Sequence, residues 1–375
     1  MENQTIKTLK ELINIPSYVL DDHNEEKLVD YIYNFLSKFT NLTVEKQTVE
    51  GKRANILAFT NKSPKIILFG HMDTVRPKID SHSSFEATEQ DNKLFGLGSV
   101  DMKSGLAIML ETARKYSKNN DIAYIFTVDE EYDFKGVFRL VKDYQLTTDV
   151  ILNLEPTSLK ILNGCRGVTE FTFEVNGKSC HAGTKHLGVN AIEKAVEIFK
   201  ILQNELTKHD SERGANSLNL AHLNGGVLRA KDTVGYSGNV VPNYAFCVGE
   251  IRLADPSIDE NWIEDKIKLI SSQVGVSCTN IHFKFLMGSA YTPTDKLKLF
   301  EQALKMNGIN PEYKDINATG YFEVQKLQET WGTDIIVFGP GPSEMAHQVN
   351  EYVDIDSVLI TQKILDSYLE ILQSH

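Results

Sequence analysis

No apolar run in this sequence reaches 18 residues, so none is long enough to cross a membrane as a helix. Cysteine is scarce. Cys165, Cys180, Cys247 and Cys278 are the only four in 375 residues, and none form C-x-x-C. That spacing argues against a disulfide framework and for buried free thiols in a reducing cytoplasm. Basic excess is missing too: 39 lysines and arginines face 51 acids, a formal charge of −12. A balance of that sign speaks against nucleic acid or an anionic membrane as partner. It leaves room for a local basic pocket. The opening residues MENQTIKTLKELINIPS lack an apolar signal core, consistent with a cytoplasmic location. Internal repeats and low-complexity tracts are absent.

What remains is an ordinary globular composition, 41% hydrophobic and 24% charged, with length for two or three domains. Helical spacing marks 5–15 and 24–39, and strands are expected at 42–48, 54–60, 65–70, 122–128 and 150–154. Residues 80–92 are charged and loop-like, and 103–117 is an amphipathic helix. Strands alternating with helices predict an α/β domain with a mostly parallel sheet. Near residue 166 the pattern changes. A strand at 168–176, a helix at 190–207, strands at 217–224 and 243–253, a helix at 258–273 and a strand at 279–287 give the ferredoxin-like split order. The expected organisation is therefore one α/β domain, 1–165 and 287–375, interrupted by an α+β domain, 166–286. The α/β pattern resumes with a helix at 295–307, a strand near 334–338 and a last helix at 356–372.

The chemistry-bearing residues cluster after apolar strands. In such sheets ligands bind outside the carboxyl ends of the strands. Ile66-Ile67-Leu68-Phe69 gives way to Gly70-His71-Met72-Asp73, and Ile122–Val128 to Asp129-Glu130-Glu131. Glu155 ends the next strand. Gly98-Ser99-Val100-Asp101 sits before a helix, and His347 follows the loop Gly339-Pro340-Gly341-Pro342. Each has a plain structural use when taken singly: a solvated histidine, a turn aspartate, a helix cap at Asp101, an acidic loop. Gly96-Leu97-Gly98 does not open a dinucleotide loop, because the third glycine position falls on Asp101. Together, two histidines and several acids at successive strand ends are a donor set for zinc or a similar divalent ion. They over-supply one ion and suit two that share a carboxylate. Of the adjacent Glu130 and Glu131, one would bind metal and the other move protons. Asp73 is placed to fix the His71 imidazole.

The segments GHMDTV (70–75), GLGSVDMKSGLA (96–107), TVDEEYDFKG (127–136), NLEPTS (153–158), GKSCHAG (177–183) and AHQVNEYV (346–353) resemble the co-catalytic metallopeptidases of the acetylornithine deacetylase, succinyl-diaminopimelate desuccinylase, aminoacylase and glutamate carboxypeptidase type. The resemblance runs through essentially the whole chain. It implies that His71 and Glu155 bind one zinc and Glu131 and His347 another. Asp101 would bridge them, next to a cis peptide to Met102. Cobalt or manganese would be substitute ions. It makes Glu130 the general base and Asp73 the residue that orients His71. The inserted domain becomes a lid through which the chain forms a homodimer, and His181 a histidine that reaches into the partner subunit's site. Asn239, Arg252, Gly320 and Gly341 fall where the substrate is held, with Arg252 on a substrate carboxylate.

The implied reaction is hydrolysis of the amide of a small N-acyl amino acid or short peptide. LNLAHLNGGVLRAKD (218–232), GVNAIEKA (188–195) and FGPGPSEMAHQVNEYV (338–353) lean toward acetylornithine deacetylase. Asn317-Ala318-Thr319-Gly320-Tyr321-Phe322-Glu323 departs from the Gly-Gly-Thr-Ser-Asp loop of the desuccinylases and also from the Thr-Glu-Ala-Pro stretch of the deacetylases. The alternatives are a dipeptidase or carboxypeptidase, or a desuccinylase. A non-catalytic metal or amino-acid binding protein is a further one, with no use for Glu130.

Overall fold

In a computed structural model that describes residues 3–20, 24–78, 85–229, 233–235 and 237–374, the apolar run at 66–71 is a strand buried along its whole length. In chain order the elements are α1 (Gln4–Ile13), α2 (Glu26–Leu36), β1 (Thr43–Glu50), β2 (Arg53–Phe59), β3 (Ile66–His71), β4 (Thr88–Gln90), β5 (Lys93–Phe95), α3 (Lys103–Tyr116), β6 (Ile122–Thr127), α4 (Lys135–Asp143) and β7 (Val150–Asn153). There follow β8 (Gly164–Cys165), β9 (Gly167–Asn176), α5 (Ala191–Thr207), β10 (Ser217–Arg229), β11 (Thr233–Gly235), β12 (Tyr244–Leu253), α6 (Glu260–Gln273) and β13 (Ser277–Met287). The last are β14 (Ala290–Tyr291), α7 (Lys298–Met306), α8 (Val324–Trp331), β15 (Asp334–Val337), β16 (Tyr352–Asp354) and α9 (Ile355–Ser374).

Two compact units divide the chain. One comprises Met1–Gly164, Tyr291–Ala318 and Phe322–His375; the other comprises Cys165–Ala290 and Thr319–Tyr321. The first is α/β, with sheet order β1-β2-β6-β3-β7-β15. β6, β3, β7 and β15 run parallel, and the β1–β2 ribbon adds on antiparallel. Parallel strands are covered on both faces, so they read as continuous apolar runs. One face of the sheet packs on α1, α2, α3, α7 and α9 through Leu68, Tyr124, Phe126 and Leu152. Gly105 lets α3 lie close, since a Cβ there would meet the Leu154 carbonyl at 2.4 Å. Caps mark several helix starts: Asn3 takes the Thr5 N–H, and Asn190 takes those of Ile192 and Glu193.

The second unit is a ferredoxin-like antiparallel sheet, β11-β10-β12-β9-β13, under α5 and α6. β9 and β12 alternate buried and half-buried along most of their length. Their inward residues, Phe171, Phe173, Val175, Cys247 and Ile251, form a core with Ile198, Phe199, Ile263 and Ile267 of the helices.

Three local readings need correction. Thr88–Gln90, within the stretch read as loop, is a strand paired with β5; it is fully exposed, so it carries no apolar alternation. α4 and α8 were not expected as helices; each is short and buries only three residues. Cys165 and Cys247 are buried, but Cys180 and Cys278 are partly exposed. Residues 80–84 of the charged stretch and 230–232 of the 218–232 segment lie outside the described residues. No helix among the described residues is long and apolar enough to cross a membrane.

Candidate active site

Parallel pairing brings three strand ends together. His71 closes β3 opposite Thr127 of β6, and the ladder continues with the Met72 N–H donating to the Thr127 carbonyl at 2.8 Å. Beyond β6 the chain turns at Asp129, in the left-handed region with φ 72°, and delivers Glu130 and Glu131. Glu155 lies two residues past β7. His347 comes from the loop after β15, also left-handed with φ 62°.

Asp101 corrects the expectation that every acid follows a strand of the main sheet. It follows β5 of the small sheet β16-β5-β4, through a loop that turns on Gly96 and Gly98 with φ 146° and 80°. Its peptide to Met102 is cis. Its side chain does not cap α3, which begins after Met102 with no side-chain cap.

The distances define two halves. His71 Nε2 is 3.1 Å from Asp101 Oδ1 and 3.4 Å from Glu155 Oε1. His347 Nε2 is 3.0 Å from the Glu131 carboxylate and 3.4 Å from Asp101 Oδ2. Asp101 thus presents one oxygen to each histidine. Ligand atoms of His71, Asp101 and Glu131 all lie within 4.8 Å of one another. His71 Nδ1 is 3.0 Å from the main-chain oxygen of Asp73. A carbonyl only accepts, so Nδ1 carries a proton, and Nε2 is the nitrogen that faces the acids. The Asp73 carboxylate stands 3.5 Å from Nδ1 and instead accepts the N–H groups of Glu130 at 3.0 Å and Glu131 at 2.9 Å.

The electrostatics are those of a cluster short of positive charge. Burial raises the carboxyl pKa values of Glu130, Glu131 and Glu155, and neighbouring acids add to it. Hydrogen bonds to Asp101 and Glu131 push His347 up to about 10. Burial would lower His71, yet Glu155, Asp101 and Asp73 outweigh it and hold it well above its usual value. Only Asp101 is lowered; its burial is overcome by hydrogen bonds from His347 and His71. A divalent cation would take the place of those shared protons, and the deprotonated nitrogen and oxygen donors fit one.

A family model for peptidase family M20/M25/M40 matches residues 67–371. The chain belongs to that family. It is a hydrolase of amide bonds. A probable succinyl-diaminopimelate desuccinylase of Staphylococcus epidermidis is 25% identical to this M20 chain, with 98% of each covered. An acetylornithine deacetylase of Buchnera aphidicola is 28% identical, with 96% of each covered. Among solved structures, aminopeptidase PepT from Bacillus cereus superposes with a TM-score of 0.75 at 18% identity, over 99% of this chain and 98% of that one.

In this M20 chain, buried charges that sequence reading passed over hold the site loops. Glu351 is 3% exposed and accepts the N–H groups of Gly98, Val100 and Asp101 at 2.9, 2.9 and 3.1 Å. Burial pushes its carboxyl up to about 7. Lys103, fully buried, donates to the Ile15 carbonyl at 2.8 Å, and burial pulls it down to about 7. Arg53 forks onto Glu25 at 2.7 and 2.8 Å and also bonds Asp129, fixing the turn before Glu130. Only AHQVNEYV pointed to Glu351; Arg53 fell between the strands expected at 42–48 and 54–60.

The second unit holds His181, Asn239 and Arg252. Ala182 N–H donates to the Asn239 carbonyl at 2.8 Å, and His181 bridges to Val240, so the first two are neighbours. His181 is exposed; its Nδ1 accepts the Gly183 N–H at 3.1 Å. Arg252, on β12, gives Nε to Glu250 at 2.9 Å and lies 5.2 Å over the Tyr321 ring. A Cβ on Gly320 would meet nothing within 4 Å. Gly341 is in the first unit with φ 78°, where a Cβ would strike Val100 at 2.5 Å. Its N–H donates to Ser357 and its carbonyl accepts from Ser158.

Proposed function

We propose that this chain is a two-metal amidohydrolase that removes the acyl group from an N-acyl amino acid, as acetylornithine deacetylases do, with zinc as the resident ion and cobalt or manganese as substitutes. One observation carries the reading: Asp101 turns Oδ1 to the His71–Glu155 half and Oδ2 to the His347–Glu131 half. His71 and Glu155 would hold one ion and His347 and Glu131 the other, with Asp101 shared. Ions in such a frame supply Lewis acidity, acidifying a water and polarising the scissile carbonyl.

The chain's own groups do the rest. Glu130 takes the proton of the attacking water and returns it to the leaving amine. Asp73 holds the Glu130 and Glu131 amides in place. Because His181 Nδ1 accepts a hydrogen bond, Nε2 carries the proton and is the nitrogen able to donate to the developing oxyanion. Asn239, Arg252 and Gly320 are the remaining substrate contacts of the reading. Gly341 serves it by packing against the Asp101 loop at Val100. The chain is proposed to pair with a second copy through its second unit. A desuccinylase is the second reading, favoured by the relative of that name aligned over 98% of the chain.

The test is amine release by the zinc- and cobalt-loaded protein from N-acetylornithine, other N-acetyl amino acids, N-succinyl-diaminopimelate and dipeptides. Preference for the acetylated amino acids is expected. No release from any N-acyl amino acid overturns the reading, and a preference for dipeptides moves the chain to the exopeptidases. Glu130→Gln is expected to lower kcat by roughly 10²–10⁴ with metal content unchanged.

A further inference from the structure

The two histidines of the site are held very differently. The His71 side chain is 1% exposed and wedged at the end of a buried strand; that of His347 is 51% exposed, on a loop. Core packing cannot aim a half-exposed ring. From 342 to 350 the backbone bonds only within itself: Met345 N–H to the Pro342 carbonyl, Ala346 N–H to Ser343 and Gln348 N–H to Met345. Met345 and Ala346 rest against the apolar core, a contact without direction. Besides the bonds of the imidazole itself, one hydrogen bond among the described residues joins this stretch to the rest of the chain. Lys314 Nζ donates to Ser343 Oγ at 2.6 Å. We propose that Lys314 is a positioning residue for His347, acting through Ser343, and that it sets the affinity of the ion at His347 and Glu131 and leaves the other ion unchanged. The inference rests on the two-metal reading above.

Lys314 can act as a strut because its own backbone is fixed. Its N–H donates to the Ile161 carbonyl at 2.8 Å, and the Ile161 N–H donates to the Glu312 carbonyl at 2.7 Å. Lys160 and Glu312 add an ion pair at 2.9 Å, and Ile161 is fully buried. Residues 160–161 continue the segment that carries Glu155. The ammonium thus spans from the Glu155 segment to the turn Ser343–Met345 that leads into His347. A hydrogen bond from a charged donor is about twice as strong as a neutral one, and it is directional. The charge of Glu344, on the same turn, reinforces it: burial lowers the Lys314 pKa, and Glu344 opposes that.

The role is confined to the middle of the loop, because its two ends are held without Lys314. Gly341 is tied by Ser158 and Ser357, and Glu351 by the Gly98, Val100 and Asp101 amides. Losing the ammonium therefore frees the turn and the ring after it, while the loop stays attached. His71, Glu155 and Asp101 have no bond to Ser343 or Lys314, so their geometry does not depend on this contact.

The probe is zinc, titrated into the metal-free protein against a chromogenic chelator to give two stepwise constants. Lys314→Met keeps the aliphatic stem and removes the ammonium. It is expected to weaken one ion roughly 10–100-fold and leave the other unchanged. Ser343→Ala should do the same, and the double variant should do no more than either single one, since both remove one bond. Lys314→Arg should restore part of the affinity. His347→Ala identifies the ion: in that background Lys314→Met should leave the remaining zinc as it was. Two ions unaffected, two ions weakened alike, or an effect that persists without His347 overturns the positioning role. A wild type that holds fewer than two zinc ions fails the two-metal reading itself. A chain that binds two, responds to Lys314→Met as stated and releases no amine loses the amidohydrolase reading and keeps the role of Lys314.

Discussion

Glu323 has its carboxyl buried at the end of β6, where one oxygen takes the Thr127 hydroxyl at 2.5 Å and the other has no partner among the described residues. Burial, helped by the nearby acids Asp73 and Asp129, pushes its pKa from 4.5 up to about 8. Between those two values the folded chain keeps a proton that the unfolded chain has released. The stability this group supplies is therefore full below pH 4.5 and is lost as pH rises through 8, by up to about 1.4 kcal/mol per unit. Glu323→Gln removes the titrating group and keeps an acceptor for Thr127. Urea midpoints at pH 5.5 and 8.0 are expected to fall further for wild type than for the variant. Parallel falls would show that Glu323 does not hold its proton. The sequence offered no sign of this carboxyl beyond its membership of a loop that departs from family pattern. Burial is a property of the packed chain, and an acid in a loop reads as solvated.

The 96–101 loop shows the same division at the scale of an element. Its ends were legible, because glycines and the run into α3 mark a turn followed by a helix. Its placement was not, because the groups that hold it come from residue 351, about 250 positions later in the chain. Glu351 is the carboxylate that the Gly98, Val100 and Asp101 amides share. Glu351→Ala leaves three buried donors unpaired and should cost about 2–5 kcal/mol. Asp101 serves both halves of the site, so the loss of this anchor is expected to weaken the binding of two ions together. His347→Ala should weaken one. Glu351→Gln keeps one oxygen for Val100 and Asp101 and should fall between wild type and alanine. Metal titration with a chromogenic chelator reads all three. Two ions held as tightly in Glu351→Ala as in wild type would refute the positioning role. The parallel strands were readable for the opposite reason: each is a short apolar run, and that pattern is local.

At the scale of the whole molecule, the question left by the fold is what covers β10. The strand has thirteen residues, and β11 pairs only with Val227, Leu228 and Arg229 at its far end. The outer side of Ser217–Gly226 faces no other strand among the described residues. That stretch, SLNLAHLNGG, carries no Lys, Glu, Asp or Pro, so it lacks the usual defences of an exposed edge. Beside it, Val196, Phe199, Leu218 and Leu220 line a groove between α5 and β10. A second copy related by a two-fold axis would set two such edges antiparallel and fill both grooves at once. Sedimentation is expected to give twice the 42.2 kDa of the chain. Leu220→Lys puts a charge into the groove without touching the strand's own pairing, and should yield a folded monomer with unchanged circular dichroism. If His181 acts across the dimer, that monomer loses turnover while keeping its bound metal. A folded monomer with full activity would remove His181 from the partner's site, and a monomeric wild type would remove the dimer itself.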